Sequence, residues 1–131
     1  TALVTGASGG LGSSIARALA GRGARVAVSG SNVGKLEAFA AGLGGDHVAL
    51  PCDLSDGAAV DGLVPRAVEA LGQLDVLVNN AGMSPLYPSV DAISESLFDK
   101  VVGVNLKGPF RLSANIGTHM VAAGGGSIIF V

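Results

Sequence analysis

From Thr5 to Gly12 the sequence reads Thr-Gly-Ala-Ser-Gly-Gly-Leu-Gly, four glycines in eight residues. Glycines at such spacing let a backbone approach a ligand closely. If the turn also joins a strand to a helix, the helix N-terminus adds free N–H groups and the positive end of its dipole, a combination suited to phosphate. Glycines serve ordinary tight turns as well, so the flanking sequence matters. Here the apolar run Ala2-Leu3-Val4 precedes the turn and an amphipathic pattern opens at Leu11. A second candidate is Asn79-Asn80-Ala81-Gly82, which ends another apolar run, Val76-Leu77-Val78. Small residues at Ala81 and Gly82 would leave room for a ligand beside a strand end. The plain alternative is an ordinary polar turn.

Elements able to hold these two segments must come from a core-rich chain, and the composition supplies one. Hydrophobic residues make up 49% of the 131 and charged residues 14%, which excludes a disordered chain. The net charge is -2 and Lys and Arg form no cluster, so there is no electrostatic footprint for nucleic acid or an anionic membrane. No apolar run approaches the ~20 residues of a membrane span, and no signal peptide is recognisable. Cys52 is the single cysteine, and no Cys/His grouping has metal-ligand spacing; no metal is expected, and a reducing cytoplasm is the natural setting. Thr1 opens almost directly on a strand, so the natural start is expected upstream.

Apolar runs alternate with helical patterns along the whole chain, as in a parallel sheet flanked by helices. Strands are expected near Ala2–Val4, Val26–Ser29, Val48–Cys52, Val76–Asn79 and Ser127–Val131, each short and without polar alternation. The intervening helices show apolar faces at Leu11, Ile15 and Leu19, at Leu36, Phe39, Ala40 and Leu43, and at Val60, Leu63, Val64, Ala67, Val68 and Leu71. Ser55 or Asp56 is placed to cap the third. Pro65 lies inside that helix and predicts a kink or an irregular first half, since an interior proline can cost ~3 kcal/mol. A long helical stretch from Ser94 to Ala122 is expected to bend at Gly108-Pro109. The result is an α/β, doubly wound Rossmann-type fold, a single domain over 1–131 with strand order 3-2-1-4-5.

The glycine turn and the Asn79–Gly82 segment together resemble the short-chain dehydrogenase/reductase family. Thr5, Gly6, Gly10 and Gly12 match its TGxxxGxG turn, while Gly6, Gly9 and Gly12 equally match the TGxxGxxG turn of the family's extended branch. Asn79-Asn80-Ala81-Gly82 matches the NNAG motif of the reductase-like branch and selects it. The likeness is greatest to 3-oxoacyl-[acyl-carrier-protein] reductases, and it covers about half of a typical member. It implies a nicotinamide dinucleotide held by Gly6, Ser8, Gly9, Gly10, Leu11 and Gly12, by Asn79, Asn80, Ala81 and Gly82, and by Asp53 with Leu54 at the adenine. A helix-capping role is the alternative for Asp53. In this fold an acidic residue after the second strand binds the adenosine ribose and repels the extra phosphate of NADP. The position falls here on Ser29-Gly30-Ser31-Asn32, with no carboxylate and several hydrogen-bond donors, which favours NADP(H) over NAD(H). Gly9 stands where many NADP-using relatives carry arginine.

The resemblance also implies hydride transfer to or from a small carbonyl, alcohol or acyl-thioester substrate, with a proton supplied by a tyrosine beside a lysine, and a serine positioning the substrate. Asn105 matches the family's asparagine that holds a water in the proton path. It is expected to be buried among Val104 and Leu106, or else to bond its own helix at a kink. The one tyrosine, Tyr87, is followed four residues later by Asp91, so no tyrosine-x-x-x-lysine pair exists, and the 131 residues alone are expected to be inactive. The other functional class left open is a non-catalytic dinucleotide-binding or assembly module. Tyr87 is expected on a loop lining the substrate side, and Met83 and Leu86 of the same loop either shape the pocket or belong to an ordinary packed loop. His47 and His119 are expected to be structural and Cys52 to be core. Ser127–Val131 would be a flat apolar edge, so further strands are expected beyond it. By analogy the long helix pairs with its copy in a homodimer or homotetramer.

Overall fold

The structure, a computed structural model, describes residues 1–131. Five parallel strands, β1 Ala2–Thr5, β2 Val26–Gly30, β3 Val48–Pro51, β4 Val76–Asn79 and β5 Ser127–Phe130, form one sheet in the order β3-β2-β1-β4-β5. Successive side chains of a strand point to opposite faces, and in β1, β2 and β4 both faces are covered, which is why these strands read as unbroken apolar runs; β3 is half-buried and β5 exposed. Leu3, Ala27 and Leu77 face one core with α3 (Gly57–Leu71) and α5 (Gly108–Ala122). Val4, Val26, Val28 and Val78 face the other with α1 (Gly10–Ala20) and α2 (Val33–Leu43). Leu3, Leu63, Leu77, Leu112 and Ile116 are fully buried, each contributing roughly 1.5–3 kcal/mol.

Helix ends follow local side-chain chemistry. Asn32 caps α2 by accepting the Lys35 N–H (3.0 Å), and Asp56, rather than Ser55, caps α3 by accepting those of Ala58 and Ala59. The irregular first half expected from Pro65 is not seen, and α3 runs through it as one α-helix. Pro65 sits on the exposed face, where water can serve the carbonyl that a proline leaves without a donor.

The long helical stretch also differs from expectation. Ser94 caps α4 (Glu95–Val102), and the α-helix then widens into a single π turn, Gly103–Lys107, before α5 begins. The irregularity thus precedes Gly108-Pro109. Pro109 lies in the first turn of α5, where a missing N–H is tolerated. Gly108 is required for a different reason: a Cβ there would meet the Leu54 Cβ at 2.8 Å. This crossing of the π turn over Leu54 and Ser55 ties α4 to the carboxyl end of the sheet. No helix is long and apolar enough to cross a membrane.

Candidate dinucleotide site

The strand order reverses about β1, whose neighbours β2 and β4 each lead to a helix on a different face. Such a switch point leaves a crevice at the carboxyl ends of the strands. A cleft of about 680 Å³ occupies that position. Every residue expected at a dinucleotide site, except Asn79, lines it: Gly6, Ser8, Gly9, Gly10, Leu11 and Gly12 from β1–α1, Ser29, Gly30, Ser31 and Asn32 from β2–α2, Asp53 and Leu54 after β3, and Asn80, Ala81 and Gly82 after β4.

The turn after β1 is shaped by close packing. Gly6 has φ +62°, and a Cβ on it would stand 2.8 Å from the Ala81 Cα. One on Gly12 would fall on the Gly6 carbonyl. Around Gly10 there is open space instead. No side chain caps α1, and the N–H groups of Gly10, Leu11 and Gly12 have no backbone acceptor, so the positive end of the helix faces the cleft. Leu11, expected in the core with Ile15 and Leu19, is 58% exposed at the cleft, because it lies in the first turn, ahead of the packed face.

Thr5 joins the two sequence motifs. Its buried hydroxyl accepts the N–H groups of Asn80 (3.1 Å) and Ala81 (3.0 Å) and donates to the Val78 carbonyl (3.3 Å). Asn80 returns the contact by donating through Nδ2 to the Thr5 carbonyl at 3.0 Å. Asn79 lies beneath the cleft, 4% exposed, donating to Ser113 Oγ on α5 at 2.9 Å. Alternation along β4 turns it away from the side that Asn80 faces.

Other expectations are refined. Asp53 does not cap α3; its Oδ1 accepts the backbone N–H (2.9 Å) and hydroxyl (2.7 Å) of Ser55, and these bonds hold its carboxyl below the usual carboxylate range. Ser29 and Leu54 form walls, only 1% and 6% exposed. Asn105, in the π turn, is exposed rather than buried, and it bonds not its own helix but Met83 at the edge of the cleft. Its side chain clamps the backbone of Met83, accepting from N and donating to O at 2.8 Å each. Cys52 is buried, and burial pushes its thiol up. His47 accepts the Val26 N–H at Nδ1, a structural contact. No group of three or more His, Cys, Asp or Glu is placed to hold a metal ion.

Sequence reasoning missed Thr5 as the brace, and Lys100 and Val104 as cleft residues. A threonine ending a strand just before the glycine turn was a usable signal. Lys100 and Val104 were not legible, since they reach the cleft only through the crossing of α4 over Ser55.

The family model described as short chain dehydrogenase matches residues 1–131. The chain belongs to the short-chain dehydrogenase family. D-threitol dehydrogenase of Mycolicibacterium smegmatis is 40% identical to it over 131 residues, covering 98% of this chain and 50% of that protein. Among solved structures, a metagenomic short-chain oxidoreductase in complex with NADP superposes with a TM-score of 0.92 at 38% identity, covering 99% of this chain and 59% of that one. The 3-ketoacyl-(acyl-carrier-protein) reductase from Brucella melitensis complexed with NADH gives 0.92 at 32% identity, covering 98% and 55%. This short-chain dehydrogenase chain spans about half the length of the curated relatives it matches.

Proposed function

We propose that the cleft holds NADP(H) in preference to NAD(H), and that the whole protein is an oxidoreductase interconverting a carbonyl and an alcohol. The observation that carries this reading is the uncapped N-terminus of α1, with its free N–H groups facing a glycine-lined cleft of dinucleotide size. The residues present fit the cofactor. Gly9 to Gly12 would take the pyrophosphate, Asp53 the adenine amino group through its uncommitted oxygen, and Ala81 and Gly82 the nicotinamide ribose. When bound, the nicotinamide supplies or accepts the hydride. The cofactor preference rests on the end of β2. Gly30 carries no carboxylate, Ser31 is exposed, and Asn32 spends its Oδ1 on the α2 cap, which leaves its amide free to donate. Ser29 is too buried to serve a phosphate, so Ser31, Asn32 and the N-terminus of α2 take that role.

Asn105 orders the loop after β4 through Met83. Pro109, lacking an N–H, cannot supply the ordinary α-helical bond to the Asn105 carbonyl, and that carbonyl is the acceptor we assign to a water in the proton path. The name of the threitol dehydrogenase favours a polyhydroxylated alcohol or its ketone as substrate; the likeness to the ketoacyl reductase keeps a 3-oxoacyl thioester as the second reading. We take α4 and α5, which carry exposed Phe98 and Phe110, as the surface of a homodimer or homotetramer working in the cytoplasm.

The test is a fluorescence titration of the purified protein with NADPH and NADH. NADPH is expected to bind more tightly. A Cβ at Gly30 would meet only Leu36 Cδ1 and Ser8 Oγ, both at 3.7 Å, so a larger residue fits there. Gly30→Asp should therefore fold normally and reverse the preference by at least about tenfold, through repulsion of the phosphate. Tighter NADH binding by the unsubstituted protein would reject the NADP assignment.

A further inference from the structure

The five arginines are each committed elsewhere. Arg17 lies over the Phe39 ring, Arg22 donates to the Ala18 carbonyl, Arg25 pairs with Asp46, Arg66 donates to the Pro51 carbonyl, and Arg111 pairs with Asp61. Three lysines remain, Lys35, Lys100 and Lys107, and of these Lys100 alone lines the dinucleotide cleft. It is exposed and has no ion-pair partner within 4.0 Å. The only other charged residue of the lining is Asp53.

The placement of Lys100 is set by packing. The π turn presses Gly103 against Ser55, so that a Cβ on Gly103 would come within 3.2 Å of the Ser55 Cβ. That contact fixes the end of α4 beside the Asp53–Ser55 turn. Lys100 and Val104, one helical turn apart, then share the face directed at the cleft. Val104 supplies apolar surface, and Lys100 supplies charge.

We propose that Lys100 is a cofactor-affinity residue, the side-chain cation that offsets Asp53 and makes the cleft attractive to the phosphates of a dinucleotide. Without it the lining would carry a net negative charge, from Asp53 alone, against a ligand that is itself an anion. Lys100 acts through its field rather than through a fixed contact, since its side chain is exposed and held by nothing. Its influence therefore scales with ligand charge and is screened by salt. NADPH, with its extra phosphate, should feel it more than NADH, and uncharged adenosine should not feel it at all.

This inference rests on the cleft being a dinucleotide site, and the experiment separates the two. NADPH, NADH and adenosine are titrated against the unsubstituted protein, Lys100→Gln and Lys100→Arg, each at low salt and at high salt. In Lys100→Gln the dissociation constant for NADPH should rise about three- to tenfold at low salt, that for NADH should rise less, and the loss should shrink to under about twofold at high salt. Adenosine affinity should be unchanged, and Lys100→Arg should bind NADPH like the unsubstituted protein. Equal NADPH affinity in the Gln variant, or a loss that extends to adenosine and ignores salt, would overturn the role of Lys100 while leaving the site standing. No saturable binding of either dinucleotide by the unsubstituted protein would overturn the site itself.

Discussion

Gly10 and Gly12 stand two residues apart in one turn and serve different surfaces. Gly12 is needed by the protein, because a Cβ would strike the Gly6 carbonyl; Gly10 faces open space. Gly12→Ala should therefore cost about 1–3 kcal/mol of stability through overpacking. Gly10→Ala should leave the melting temperature unchanged or slightly raised and still weaken NADPH binding, since its methyl group would stand where the pyrophosphate approaches. Calorimetry paired with titration checks both, and full binding by Gly10→Ala would count against the phosphate assignment. Thr5→Val preserves shape but removes the acceptor of two N–H groups, those of Asn80 and Ala81. A loss of roughly 2–4 kcal/mol in chemical denaturation is expected, because unpaired buried donors keep their full desolvation cost. The close backbone approach at Gly6 and Gly12 was legible in the sequence because residue type and spacing encode it. The Thr5 brace was not, since its partners lie more than seventy positions away.

Between elements, α3 and α5 are tied on their outer side by Arg111, whose guanidinium takes both oxygens of Asp61 while Asn115 donates to the same carboxylate at 3.0 Å. These hydrogen bonds hold the Asp61 carboxyl down at about 2. A folded-state value below the unfolded one, ~3.9, means that the contribution is present at neutral pH and is lost as pH falls toward the folded value. The stability difference between the unsubstituted protein and Asp61→Asn should thus be constant above about pH 5, shrink as pH falls through about 2, and vanish only below both values. Denaturant unfolding across that range measures it, and a difference that keeps its full neutral-pH size at pH 2 would show that the pair is not its source. Helix faces were readable from the spacing of Val60, Leu63, Val64 and Ala67, all buried as expected. The π turn was not readable. It lies where the chain packs closely over Leu54 and Ser55, which demands Gly108, and local sequence suggested only that Gly108-Pro109 would bend the helix.

At the scale of the whole molecule, short runs of Val, Leu and Ala alternating with amphipathic helices were enough to give the sheet order, because strands covered on both faces have few other ways to be connected. The order in turn places the crevice, and the two motifs fall on its rim. β5 pairs with β4 at the edge of the sheet, and its Ile129 and Phe130 are 44% and 63% exposed. What the order does not encode is charge in the cleft, which depends on a helix arriving from the far side of β4. The central claim is that the uncapped end of α1 receives the phosphates of a nicotinamide dinucleotide. The most direct test is to follow the backbone amide resonances of the isotopically labelled protein as NADPH is added. The largest shifts are expected at Gly10, Leu11 and Gly12, with smaller ones at Ala81 and Gly82; saturating shifts that leave Gly10 to Gly12 unmoved would contradict it.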